Sequence, residues 1–210
     1  ASRMSVINIA PTRSNLLQQK SSLVFAREGY TILDKKREVL TMELLGMVNR
    51  AEEQQLKVTQ LMEKAYNALE LAWLTMGREK VEWAAISVNG TTEVDVINHG
   101  LMGVPLPRID THGTPPTLTY SLADTTAFLD EASQAFKEVL AEIPLLASLE
   151  VSVRRIAREL KKTQRRVNAL ERIFIPNFED TIRFIQDNLE EQDREEIFRM
   201  QWLRAPDKDA

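Results

Sequence analysis

The chain has 210 residues, with 27 Lys and Arg against 31 Asp and Glu for a formal net charge of −4. That balance excludes a uniformly basic nucleic-acid or membrane surface, and 43% hydrophobic residues exclude a disordered chain. The absence of cysteine excludes disulfides, thiol nucleophiles and thiolate zinc sites. No uncharged run reaches the roughly 18–20 apolar residues of a membrane helix, and no signal-peptide core opens the chain. The expectation is a soluble cytoplasmic protein without direct membrane insertion.

Helix breakers are concentrated in one place. Nine of the 15 Gly and Pro residues fall between Gly77 and Pro116, whereas residues 12–76 hold only Gly29 and Gly46 and residues 124–203 only Pro144 and Pro176. At 1.5 Å per residue, helices over 12–77 and 124–203 would run roughly 100 and 120 Å, too long to fold inside a ball with a radius of gyration of about 17 Å. The chain divides into residues 1–77, a first long helix; 78–121, a β-hairpin and loop tip; and 122–210, a second long helix with a polar tail.

In the first segment Leu23, Tyr30, Arg37, Leu44, Ala51, Val58, Ala65 and Ala72 take the a positions of a heptad. Ala26, Leu33, Leu40, Met47, Gln54, Leu61 and Ala68 take the d positions. Only Arg37 and Gln54 break the apolar pattern, and a 3.5-residue repeat sustained this long predicts a left-handed supercoil with a partner helix. Pro11-Thr12 and Gly77 mark the helix ends. In the middle, Trp83 to Ile97 reads as strand, turn and strand around Asn89-Gly90, with a bulge that sets Ile86 against Val94 and Ala84 against Val96. Trp83, Ile86, Val88 and Val94 are candidate contact residues of this tip. Ser121, three residues before Asp124, is a weak capping box for the second helix. That helix answers the first with Leu149, Val153, Ile156, Leu160, Thr163, Val167, Leu170 and Phe174. Two successive four-residue steps to Phe178 and Ile182 then precede Ile185 and Leu189. This stutter surrounds Pro176 and predicts a local unwinding or kink. The fold class is mainly α: two long helices in an antiparallel left-handed coiled coil, with a short β-hairpin at the tip.

Charge follows from that pairing. If the tip joins residue 77 to 122, facing residue numbers sum to about 199, which sets Lys35, Lys36 and Arg37 opposite Lys161, Lys162, Arg165 and Arg166. Arg154 to Arg172 carries a net charge of +6 and Glu179 to Glu196 one of −6. The expectation is a basic collar followed by an acidic C-terminal extension. Like charges crowded on one cross-section repel unless a partner absorbs them.

Motifs in both helices resemble the D subunit of V-type and A-type rotary ATPases. They are Pro11-Thr12-Arg13, Leu16-Leu17, Ala26, Gly29, Leu33, Lys35-Lys36-Arg37 and Leu40. In the second helix they are Arg165-Arg166-Val167-Asn168-Ala169-Leu170-Glu171, Ile175-Pro176, Ile182, Phe184-Ile185, Leu189-Glu190-Glu191, Asp193-Arg194-Glu195-Glu196 and Phe198-Arg199. Asp34 stands where the family pattern has Lys. The resemblance implies a cytoplasmic rotor shaft, peripheral to the membrane, inside a hexamer of catalytic A and non-catalytic B subunits. Its further partners would be a small F subunit beside the coiled coil and a funnel-shaped stalk subunit on the membrane side. The collar residues Lys35, Lys36, Arg37, Arg158, Lys161, Lys162, Arg165 and Arg166, with Ile197, Phe198 and Trp202 seated deeper, would form the hexamer contact.

Catalysis in this chain finds no support. No G-x-x-x-x-G-K-[ST] cradle exists, and the two histidines, His99 and His112, stand in the middle segment near Asp95 and Asp110. Neither cofactor nor metal is expected. The rival reading is a coiled-coil scaffold that binds a polyanion or a chaperone client through the basic collar. Nucleic acid is not the expected partner, because no aromatic residue interleaves the basic run as a stacking platform before Phe174.

Overall fold

The computed structural model describes residues 9–117, 120 and 125–204. It contains α1 (Arg13–Met76), α2 (Arg78–Ser87), β1 (Asn89–Leu101), β2 (Val104–Thr117), α3 (Ala127–Ala169), a π-turn (Leu170–Phe174) and α4 (Ile175–Arg204). The chain forms two compact units. The first comprises Ala1–Glu38 with Lys161–Ala210, the second Val39–Leu160.

Helix α1 begins where the sequence places it. The Thr12 hydroxyl accepts a hydrogen bond from the Asn15 backbone N–H at 3.2 Å, which satisfies one of the donors a helix start leaves over. It ends at Gly77, whose φ of 83° suits glycine and whose N–H donates to the Trp73 carbonyl at 2.9 Å. Between these caps every one of the fifteen a and d residues is buried or half-buried.

The second unit builds an antiparallel two-helix core. Its helix-helix register agrees with the sequence: Lys57 pairs with Glu142 at 2.5 Å, and those numbers sum to 199. Gln54, polar at a d position, donates to the Glu142 carboxylate at 2.7 Å, so its amide does not enter the core unsatisfied. Tyr66 meets Phe136 edge to face at 5.7 Å between ring centroids. Ala65, Ala68 and Ala72 are buried, and such small side chains allow close helix approach.

The middle of the chain departs from expectation. Trp83 to Ser87, read as the first strand, belong instead to helix α2, because Val81 and Ala84 share one helical face and are buried with Ala72 and Leu129. The hairpin is β1 with β2, and its turn is Met102-Gly103, not Asn89-Gly90. Both turn residues have positive φ, 49° and 80°, as a two-residue hairpin turn of this twist requires. The Asn89-Gly90 pair instead begins β1, at a register shift between Asn89 and Thr91. Val94 therefore pairs with Thr111 and Val96 with Ile109, not with Ile86 and Ala84.

An isolated two-stranded hairpin is marginal in water, so it needs a surface to pack on. Val104 and Leu106 supply the contact: they are buried with Leu40 and Ile156, both 0% exposed, and Leu44, Met47, Leu101 and Leu160 pack around them. Burial of each such side chain contributes about 1.5–3 kcal/mol. Arg155 closes the joint by donating to the Pro105 carbonyl at 2.7 Å. At the other end Tyr120 packs on the α2 cluster and donates to Asp130 at 2.5 Å. Burial, then the bond to Asp130 and its charge, raise the Tyr120 hydroxyl to a pKa of about 12. The Ser121 cap lies outside the described residues; α3 starts at Ala127.

In the first unit the register expectation fails. Arg13 pairs with Asp193 at 2.9 Å and Arg27 with Glu179 at 2.6 Å, and the numbers of each pair sum to 206. The π-turn inserts one extra residue into the C-terminal helix of this unit. The unwinding predicted beside Pro176 is this π-turn, in which the Ile175 N–H donates to the Leu170 carbonyl five residues back. Proline at 176 has no N–H, and its ring crowds the carbonyl four residues earlier, so the wider turn relieves a clash that an α-helix would keep. Phe174, expected in the core, is turned outward and is 49% exposed. Beyond it the stripe resumes with Ile182 and Ile185 buried.

Candidate interaction surfaces

The basic residues are placed by what the heptad buries. Thr163 and Val167 take the core positions of the C-terminal helix, so Lys161, Lys162, Arg165 and Arg166 flank them and are exposed. On α1, Lys35 is exposed while Lys36 and Arg37 are half-buried, and Arg37 pairs with Asp34 at 2.7 Å. Seven of the eight collar residues belong to the first unit; Arg158, also exposed, belongs to the second. Two further cations of the run are occupied locally. Arg154 pairs with Glu150 at 3.2 Å, and Arg155 holds the hairpin. The sequence counts both as surface charge, and only the fold separates them from the rest.

Toward the end of α4, Ile197, Phe198 and Trp202 are exposed, Trp202 at 77%. The acidic segment around them is partly neutralised along the helix. Arg194 lies 3.8 Å from Glu190 and 3.5 Å from Glu191, and Arg199 lies 3.9 Å from Glu195. Exposed pairs of this kind contribute only about 0–1 kcal/mol each, so they leave the helix free to exchange partners.

Of the tip candidates, Trp83 and Ile86 stand exposed on α2, Val88 is half-buried after its last turn, and Val94 is exposed on β1. Sequence reasoning missed Leu71, Leu74 and Phe128, exposed apolar residues close in sequence to the buried Ala72 and Leu129. Their signal was present: Leu71 and Leu74 are apolar yet off the a and d stripe.

Sequence reasoning also missed an apolar groove of about 640 Å³ within the first unit, walled by Phe25, Gly29 and Leu33 on α1 and by Leu170, Phe174 and Phe178 opposite. The heptad assigns Leu33, Leu170 and Phe174 to the core, so periodicity alone hides it. Among the described residues no group of three or more His, Cys, Asp or Glu is placed to hold a metal ion, and His112 lies 3.9 Å from Asp95 on the exposed hairpin. No helix among the described residues is long and apolar enough to cross a membrane.

The sequence profile of the family described as the D subunit of ATP synthase matches residues 15–205. The chain belongs to that family. It is 38% identical over 198 residues to the D subunit of the V-type ATP synthase of Thermotoga neapolitana, covering 94% of this chain and 98% of that protein. It is 34% identical over 203 residues to the D subunit of the A-type ATP synthase of Thermococcus sibiricus, covering 95% of both chains. The corresponding A-type protein of Methanopyrus kandleri is 37% identical over 199 residues, covering 94% of this chain and 86% of that protein. Membership of this family makes the chain a component of a V/A-type ATP synthase. The match also spans the hairpin segment, which carried no family motif of its own.

Proposed function

We propose that this chain is the central rotor shaft, transmitting torque between an A/B hexamer that hydrolyses or synthesises ATP and the ion-translocating ring in the membrane. The observation that carries the proposal is the unbroken α1 helix of 64 residues, with the whole of its a/d stripe buried or half-buried. Torque has to pass through a rigid element, and a helix whose seam is packed along its length resists twisting better than either helix alone. The chain is non-catalytic in this reading: it has no phosphate-binding loop and works through contacts that alternate as it turns. Lys35, Lys36, Arg37, Arg158, Lys161, Lys162, Arg165 and Arg166 meet acidic loops of the catalytic A and non-catalytic B subunits, and Ile197, Phe198 and Trp202 sit deeper in the hexamer. Trp83, Ile86, Val88 and Val94 face the small F subunit or the funnel-shaped stalk subunit on the membrane side. The working site is cytoplasmic and peripheral to the membrane.

The test is co-purification of the tagged chain from its own cells under gentle, low-salt conditions. The expected result is recovery with a nucleotide-binding hexamer and one small companion subunit, and nucleotide hydrolysis in that fraction alone. Recovery of the chain by itself, or with nucleic acid, would overturn the shaft reading in favour of a polyanion-binding scaffold.

A further inference from the structure

The groove walled by Phe25, Gly29, Leu33, Leu170, Phe174 and Phe178 combines three features. Two of its walls are exposed phenylalanines, Phe25 at 77% and Phe174 at 49%. Its second wall is formed at the π-turn, a backbone form that is rare and concentrated at functional sites. Gly29 lines it too, and an added Cβ there would meet nothing within 4 Å, so the space beside it is open. Contiguous exposed apolar surface beside charged residues marks an interaction site.

Charge on the occupant follows from the Leu33 and Leu170 end of the groove, since Glu179 at the other end is already paired with Arg27. Leu33 and Leu170 line the same groove, and one turn further along each helix in the same direction come Lys36 and Arg166, with Arg165 next to it. Antiparallel helices therefore carry the two apolar stripes directly into basic ends. We propose that this groove receives an apolar side chain, aromatic or leucine-like, projecting from an acidic loop of a hexamer subunit, while the loop's carboxylates meet the exposed Arg165 and Arg166. The inference rests on the shaft reading and adds to it an apolar anchor, distinct from the basic residues and from Ile197, Phe198 and Trp202. A centrally buried apolar anchor inside a polar rim is the arrangement that gives most interfaces their affinity. It also supplies what exposed ion pairs lack, since those are screened by salt and individually weak.

Gly29 makes the test clean. Gly29→Leu places a side chain into the open groove, and replacing an interior helical glycine with leucine favours the helix. Full-length wild type, Gly29→Leu, Phe174→Ala and Arg166→Gln are titrated against purified A/B hexamer across a range of salt. Gly29→Leu is expected to melt no earlier than wild type and to bind at least tenfold more weakly, with the slope of affinity against salt retained, because the lost contact is apolar. Phe174→Ala, which removes a wall from an exposed position, should weaken binding in the same salt-independent way and serves if the leucine variant misfolds. Arg166→Gln should do the reverse, reducing the salt slope. If wild type binds and both Gly29→Leu and Phe174→Ala bind equally well, the groove is not an anchor while the shaft reading stands. If wild type itself does not bind the hexamer, the shaft reading fails and the groove proposal goes with it.

Discussion

Glu142 shows how single residues fix this fold. It accepts from Lys57 at 2.5 Å and from Gln54 at 2.7 Å, tying α3 to a polar d position of α1. The bond from Lys57, followed by the one from Gln54, holds its carboxyl below the ordinary carboxylate range. A depressed folded-state pKa gives stability that is present above the unfolded value, about 4.3, and is lost as pH falls through the folded one. Thermal melts from pH 7 to pH 3 should therefore show Glu142→Gln less acid-sensitive than wild type, with its deficit largest at pH 7 and closing toward pH 3. Parallel curves would mean that other carboxylates carry the acid response. Leu40 and Ile156 stand at the apolar extreme. They are fully buried where the helices and the hairpin meet, and neither could be told from any other heptad residue by its letter.

At the scale of elements, the long helices declare themselves through period and caps, whereas the hairpin depends on a turn that composition does not advertise. Asn-Gly is the stronger local signal, yet the chain turns at Met102-Gly103, because that register buries Val104 and Leu106 against Leu40 and Ile156. Packing outweighs turn propensity here: two buried side chains contribute several kcal/mol, and left-handed backbone costs a non-glycine residue only about 1–2 kcal/mol. Met102 bears that cost at φ 49°. Met102→Asn should relieve about 1 kcal/mol of it, since asparagine tolerates the left-handed region. Amide exchange in β1 and β2 should slow by about fivefold, with exchange in α1 unchanged. An unchanged hairpin rate would show that its opening is limited by undocking from the helices and not by the turn. The π-turn follows the same logic. Pro176 and two consecutive four-residue steps were legible as an irregularity, but whether the strain would bend the helix, unwind it or widen one turn depends on the neighbouring chain.

For the whole molecule, the shaft reading makes the distribution of charge a property of assembly. Changing Lys35, Lys161, Arg165 and Arg166 to Gln removes four exposed cations from the first unit without touching a buried residue. Assembly into the A/B hexamer should weaken and lose most of its salt dependence, while binding of the small companion subunit should be spared. Normal assembly at every ionic strength would reduce the basic collar to a solvated surface. Because each exposed pair contributes about 0–1 kcal/mol, the effect is expected from the group and not from any one member.

The sequence by itself determined the family, the two long helices, the caps and buried a/d stripe of α1, the antiparallel pairing near Lys57 and Glu142, and the irregularity at Pro176. The helices, caps, stripe and irregularity rest on short-range order: a period of 3.5 residues, a capping side chain, a missing N–H. Only the tertiary structure decided that residues 78–87 are a helix, that the hairpin turns at Met102, that Arg155 holds the hairpin while Arg166 faces solvent, and that Phe174 walls a groove instead of filling the core. Each of these outcomes is set by packing between residues distant in the chain, such as Leu106 with Leu40 and Ile156. Their burial energy exceeds the local preferences along the sequence, so local pattern could not rank the alternatives.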